Sequence, residues 1–377
     1  MANQPEFVPG LAGIPCAKSR VCFIDGSKGI LQYRGYPIQD LAASCSFEET
    51  VHLLLFGSLP DADALKAFSA ELAEARALPD SVIATLRTLP KDGHPMDALT
   101  VAVAAMGMHF QGDHVEDEPF RRHCAIHLVA KLPTIVTSWH RVRQGLEPVA
   151  PRADLSHAAN FLYMLEGEAP DELAAEVVDV ALTLHAEHSM NASTFTGRVT
   201  ASTLADPFAS VASAIGSLSG PLHGGANERV LATLRGIGDT SSDGVQKWAE
   251  ERLANKEKIM GFGHRVYKVK DPRATILQGL ATKMFKKLGP TPIYDVATRL
   301  ETAMEALVGD KGIYPNVDFY SGIVYEKLGI PVDIFTPVFA IARVSGWLAH
   351  QLEQLDGNRI FRPSQIYVGD RDLTISA

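Results

Sequence analysis

Ser219-Gly220-Pro221-Leu222-His223-Gly224-Gly225-Ala226-Asn227-Glu228 is the stretch on which the chain turns. A histidine stands there between two glycine-containing pairs, and a helical run over 226–234 follows directly. Glycine frees the backbone for positive φ and for close approach of a ligand. The amides that open the next helix have no intrahelical partner and can face an anion or a developing oxyanion. A histidine in such a turn suits acid–base work at neutral pH. The same residues also describe an ordinary glycine-rich surface turn, so the rest of the chain has to decide.

Both flanks of this turn read as helix. Downstream, Asp271 and Pro272 are N-cap and first residue of a helix carrying Ile276, Leu280 and Met284, stopped by Gly289. Another spans 291–309, and Thr336-Pro337 opens one that runs to about Leu355, before an irregular tail from Ile360. Upstream, Asp61 caps a helix with Leu65, Phe68, Leu72 and Ala75 in a stripe. The run 96–108 is apolar nearly all round and predicts a helix buried in a large core. The segment 109–121 reads as an exposed connection, and 128–139 as an apolar helix interrupted at Pro133. Pro170-Asp171-Glu172 starts a helix with Leu173, Val177, Val180 and Leu184 on one face, and His188 continues that face. The one clear β signal is a hairpin, Val21-Cys22-Phe23-Ile24 and Ile30-Leu31-Gln32-Tyr33 around the turn formers 25–29. No fixed-period repeat is present. The expectation is an all-α protein with a short N-terminal β-hairpin.

A chain of 377 residues is long for one core and suggests about two domains. Hydrophobic content of 46% against 21% charged is that of a soluble globular protein. A net charge of −9 argues against a general nucleic-acid or anionic-membrane binder. No apolar run is read as approaching the roughly 20 residues of a membrane span. Residues 1–9 lack a basic segment followed by an apolar one, so no export signal is expected. Cys16, Cys22, Cys45 and Cys124 form no C-x-x-C pair, which fits neither zinc nor a disulfide framework. Reduced thiols and a cytoplasmic location are expected.

A second stretch, Met260-Gly261-Phe262-Gly263-His264-Arg265-Val266-Tyr267-Lys268-Val269-Lys270-Asp271-Pro272-Arg273, again sets a histidine after glycines. Four cations follow: Arg265, Lys268, Lys270 and Arg273. Such a cluster is often only a solvated face, but Arg273 falls at the second residue of a capped helix, where free amides add to its charge. The third stretch is Tyr314-Pro315-Asn316-Val317-Asp318-Phe319-Tyr320-Ser321-Gly322. Asp318 reads either as the N-cap of the next helix or as a carboxylate made more basic by apolar neighbours. Arg343, one turn after Phe339, is a lone cation in an apolar helix and needs an internal or a substrate carboxylate. Arg362 poses the same question on a loop. His185 and His188, at i and i+3, lack the further ligands a metal needs.

Taken together, these stretches resemble the citrate synthase family, in its short bacterial-type form. The resemblance covers most of the chain, from Leu11-Ala12-Gly13-Ile14 and Leu31-Gln32-Tyr33-Arg34-Gly35-Tyr36 to His188-Ser189-Met190-Asn191-Ala192-Ser193-Thr194 and the three stretches above. It implies an almost wholly helical homodimer, with higher oligomers possible, and a tricarboxylic acid cycle acyltransferase. The large domain would hold 1–222 and 326–377, and the small domain 223–325. The implied reaction condenses acetyl-CoA with oxaloacetate and hydrolyses citryl-CoA, without metal or redox cofactor. Catalytic roles fall on His223, His264 and Asp318. His188, Arg273, Phe339, Arg343 and Arg362 would hold oxaloacetate, with Arg362 acting in the neighbouring subunit's site. Leu222, Met260, Gly261, Phe262, Gly263, Lys268 and Asn316 would hold coenzyme A. The chain opens close to the hairpin, so the longer N-terminal extension of members that respond to NADH is not expected. Two alternatives share the motifs: a 2-methylcitrate synthase using propionyl-CoA, since one methylene is worth only about 1–3 kcal/mol of discrimination, and a catalytically silent acyl-CoA-binding protein.

Overall fold

The turn formers at 25–29 do fold the chain back on itself. Strands β1 (Cys22–Asp25) and β2 (Ile30–Tyr33) pair antiparallel, with Cys22 opposite Tyr33 and Asp25 opposite Ile30. A two-residue strand, β3 (Tyr36–Pro37), adds to β2 through Arg34 and Gly35, both at positive φ. The computed structural model describes residues 7–110, 115–289 and 291–375, and sixteen α-helices fill most of them.

After the sheet come α1 (Ile38–Ser44), α2 (Phe47–Phe56), α3 (Ala62–Ala75), α4 (Asp80–Thr88) and α5 (Pro95–Gly107). Side-chain caps set several boundaries: Ser46 and Glu49 form a capping box on α2, and Asp61 accepts from the Ala64 amide at 2.8 Å. Helix α5 departs from the expectation of full burial. Val101 and Met108 at its end are 41% and 73% exposed, because only one face meets the core.

Helix α6 (Glu118–Arg143) runs unbroken through Pro133, so the expected interruption is absent. Proline in a helix interior costs about 3 kcal/mol. Burying Leu132, Ile135, Val136 and Trp139 around it returns roughly 1.5–3 kcal/mol per large apolar side chain, so packing wins. The expected exposed connection before it lies partly outside the described residues, and its last part, from Glu118, is already helix.

Then follow α7 (His157–Glu166), α8 (Glu172–His185), α9 (Ala192–Ser202) and α10 (Pro207–Leu218). Helix α8 stops at His185, so His188 does not share a helix face with it. Ser189, at φ 50, turns the chain just beyond. Next come α11 (Ala226–Arg235), α12 (Ser242–Ala254), α13 (Pro272–Leu288), α14 (Pro292–Val308) and α15 (Val317–Lys327), which pack on one another, α13 and α11 on α15 and α12 on α14. Helix α13 also reaches α8, where Lys283 pairs with Glu176 and Lys287 with Asp171.

Helix α16 (Phe335–Leu355) is the axis of the molecule and packs on α2, α6, α8, α9 and α10. It corrects one reading of the sequence. The segment Val332–Leu355 is long and apolar enough to cross a membrane by composition. Its most apolar window is 89% buried inside the protein, as a core helix would be.

The sheet has one structural task beyond its own pairing. Gly26, in the hairpin turn, lies directly under the loop after His264, and its carbonyl accepts from the Lys268 amide at 2.9 Å. A Cβ at Gly26 would collide with the Val266 carbonyl.

Candidate functional site

The loop before α11, the loop before α13, the start of α15 and the middle of α16 converge beside the bend that follows α8. His223 enters from the glycine-rich turn. Its Nε2 accepts from the Ser193 backbone amide at 3.3 Å and lies 2.8 Å from Ser193 Oγ. An amide can only donate, so the ring proton sits on Nδ1. Burial, with the charge of Arg343 behind it, lowers the His223 pKa to about 4, so the ring is neutral at pH 7. Ser193 is itself fixed by the indole of Trp347 at 3.0 Å and by Asn191 at 2.8 Å.

His264 is held the other way round. Its Nδ1 accepts from the amides of Val266 at 2.9 Å and Tyr267 at 3.3 Å, which puts the proton on Nε2. Burial and the nearby Arg273 lower its pKa to about 4 as well. His188 completes the group, its ring 5.1 Å from that of His264 and its Nε2 3.2 Å from the Tyr267 hydroxyl. Desolvation also keeps His188 neutral.

The two buried arginines are compensated differently. Asp271 caps α13 through the Arg273 amide at 2.9 Å and takes the Arg273 guanidinium at 3.1 and 2.7 Å. Arg343 has only a carbonyl: its Nε donates to His185 at 2.7 Å, and the guanidinium lies over the Phe339 ring at 4.7 Å. Among the described residues no carboxylate pairs with it, which leaves the substrate alternative open. The buried Glu187 favours its charge from nearby without pairing with it; burial still costs the guanidinium, and an anionic ligand would relieve it.

Asp318 is not the cap of α15. Asn316 is, accepting from the Asp318 amide at 3.0 Å. The same Asn316 ties this segment to the His264 loop, through its amide to Gly261 at 2.9 Å and its side chain to Gly263 at 3.1 Å. Asp318 is thereby free of a structural hydrogen bond: its Oδ1 is sealed from solvent and has no partner. Desolvation raises its pKa to about 6, against the opposing charges of Arg273 and Arg343.

The basic cluster divides. Arg273 is buried, Lys270 pairs with Glu301, and Lys268 stays exposed on the rim. Gly261 and Gly263, at φ 84 and 81, shape the loop that follows Met260 and brings Phe262 alongside Phe319. Leu222 projects into solvent, 93% exposed. Arg362 is not brought in either: it is exposed on the tail. Sequence reading missed Ser193, Trp347, Asp271 and Tyr267 as partners of site residues. The Asp-Pro-Arg spacing was the only available signal, since it places a carboxylate two residues before a buried arginine.

Neutral histidines presenting protons from opposite ring nitrogens, with a basic carboxylate and two buried guanidiniums, suit proton abstraction beside a carbonyl in an anionic substrate. Residues 10–364 match the family model described as citrate synthase, C-terminal domain. The chain belongs to the citrate synthase family. It is 54% identical to a Synechocystis citrate synthase over 99% of this chain and 94% of that protein. Among solved structures, the citrate synthase of Pyrobaculum aerophilum superposes with a TM-score of 0.92 at 41% identity, covering 98% of this chain and 94% of that one. A citrate synthase from Thermoplasma acidophilum, solved with carboxymethyl coenzyme A and oxaloacetate, gives 0.93 at 35% identity and covers 99% of each chain. These relatives favour neither the propionyl-CoA alternative nor the silent one.

Proposed function

We propose that this chain carries out the citrate synthase reaction with the site just described, acetyl-CoA and oxaloacetate being its substrates. Asp318 takes a proton from the acetyl methyl group, while His223 donates its Nδ1 proton towards the thioester oxygen and stabilises the enolate. The enol carbon attacks the oxaloacetate ketone, and His264 protonates the new alkoxide from Nε2. Water then cleaves the citryl thioester, releasing citrate and the coenzyme A thiol. Each step is a proton transfer or an addition to a carbonyl, so the reading calls for no metal or redox cofactor. The observation that carries it is Asp318: a part-buried carboxylate with one oxygen sealed and without a hydrogen bond, whose pKa near 6 matches a base working at neutral pH.

Arg273 and Arg343 hold the oxaloacetate carboxylates, where guanidinium pairing fixes the angle of attack. His188 adds a hydrogen bond, and Phe339 supports Arg343 from below. Leu222, the loop 260–263 and Asn316 form the coenzyme A side, and Lys268 meets its phosphates. In this reading the small domain that closes on the rest is 223–325, which holds α11 to α14 and all but the last two residues of α15.

The homodimer belongs to the same proposal. The tail beyond α16 carries Ile360, Tyr367, Val368 and Ile375 largely in solvent, and Val101 of α5 and Met108 just after it are exposed too. Apolar surface of that kind suits a second copy. Such a tail can carry Arg362 into the partner's oxaloacetate site. Cytoplasmic residence is proposed on the four free thiols.

The test is Asp318→Asn. It should lower kcat about 10³-fold while oxaloacetate still binds, in line with losing a positioned base. Near-wild-type turnover in folded protein would overturn the assignment.

A further inference from the structure

Arg362 is exposed and sits on a segment without regular structure, yet a clamp on a carboxylate has to be aimed. The anchors of that segment are few and lie just before it. Asn358 donates to the Ser202 carbonyl at 3.0 Å, the Phe361 amide donates to Ser202 Oγ at 3.1 Å, and the Phe361 ring stands 5.6 Å from Phe195. Gln354, in the last turn of α16 and 8% exposed, holds the remaining two: its Nε2 donates to Asn358 Oδ1 at 3.2 Å and to the Arg359 carbonyl at 3.3 Å.

The direction of this amide is not arbitrary. Its Oε1 accepts from Arg198 at 3.3 and 3.1 Å. A guanidinium only donates and a carbonyl only accepts, so the oxygen must face Arg198 and the nitrogen the tail. Arg198 is fixed in turn by Glu353 at 3.0 Å and by His350 Nδ1 at 3.1 Å, and His350 Nε2 lies 2.9 Å from Glu187, the neighbour of His188. A continuous buried chain therefore runs from the oxaloacetate side of the site to the base of the tail.

We infer that Gln354 is a positioning residue for Arg362, aiming it from the root of the tail through Asn358 and Arg359. This rests on the reading of Arg362 as an oxaloacetate ligand in the partner's site. Gln354 touches no substrate; it acts by fixing where the segment leaves α16.

The discriminating variant is Gln354→Glu. A carboxylate keeps and strengthens the contact to Arg198, but at neutral pH it cannot donate to Asn358 or Arg359. If Gln354 serves only to satisfy Arg198, the variant keeps wild-type oxaloacetate affinity, and the inference falls. If it aims Arg362, the oxaloacetate Kd, read by calorimetry, weakens about tenfold, with the melting temperature and the acetyl-CoA KM unchanged. Gln354→Ala would take an acceptor from Arg198 as well and confuse the two. The same substitution placed in Arg362→Ala should then weaken binding no further; a further tenfold loss would show that Gln354 acts elsewhere.

Subunit mixing separates this inference from the crossing of the tail. Arg362→Ala mixed with inactive His223→Ala, with chains exchanging, should recover about a quarter of wild-type activity, since half the dimers carry one intact site. No recovery would refute the crossing, whatever Gln354 does. With the crossing upheld, adding His223→Ala chains to Gln354→Glu should raise activity per Gln354→Glu chain at low oxaloacetate, because the live site receives an unaltered tail. No rise there would mean that Gln354 serves its own subunit, and the inference would fail while the crossing stood.

Discussion

The loops around His223 and His264 reach one chemical state by opposite constructions. Both histidines are neutral at pH 7, both stand next to a glycine, and both have one ring nitrogen committed to a protein donor. At His264 the donors are the amides two and three residues on, so the tautomer is written into the local chain. At His223 the donor is Ser193, thirty residues away on α9, itself braced by Trp347 from α16. The first loop can hold its tautomer wherever the loop is formed; the second depends on three helices being in place. A proton on Nδ1 in one ring and on Nε2 in the other lets the pair serve two different oxygens.

Removing either ring gives the largest effect expected from this contrast. His223→Ala and His264→Ala should each lower kcat about 10³-fold, the scale of losing an oxyanion donor. One variant near wild-type turnover, with fold retained by circular dichroism, would end the pairing of roles. A smaller and more pointed effect is expected from Ser193→Ala. It leaves the backbone amide on Nε2 but removes the hydroxyl, so kcat should fall about tenfold, the typical cost of a buried hydrogen bond. No equivalent exists at His264, whose donors are main chain, and an unchanged Ser193→Ala would mean that the amide alone fixes the ring.

The smallest effect is in pH. Asp318 must be ionised to act, and burial sets its pKa at about 6, whereas both histidines stay neutral down to about 4. As pH falls, kcat/KM should be halved near pH 6 and then decline with a single-proton slope. A two-proton slope between pH 6 and 5 would show a histidine titrating with Asp318 and would break the claim that both rings are held neutral.

The same local-against-distant distinction explains what could be read in the chain beforehand. Asp61, Asp171, Asp271 and Gly289 mark helix ends within a few residues of themselves, and each was legible. The motifs that place His223, His264 and Asp318 are also local. Pro133 misled because its local cost is outweighed by burial on every side of α6. Asp318 reads as a cap only until Asn316 is seen to do that work, for which both residues are suitable by type. Val332–Leu355 shows the reverse case, a run whose apolarity is a property of the core around it. Ser193, Trp347 and Gln354 carried no signal, because their partners are brought in by the fold. Glu187 and His350 meet across 163 residues of sequence.

The seat of the His264 loop on Gly26 also sets an order in time. The hairpin turn leaves the ribosome ahead of the Val266 carbonyl that covers it, which follows about 240 residues later. At about 5–20 residues per second, that is roughly 10 to 50 s in which the turn has nothing above it. The hairpin can close in microseconds, but it is marginal by itself and is held only once Leu184 and Glu187 arrive to take the Tyr33 hydroxyl, still about 80 residues ahead of the loop. Nascent chains halted just before residue 266 would carry the floor of the site without its roof, and would be inactive however well their first twelve helices had packed.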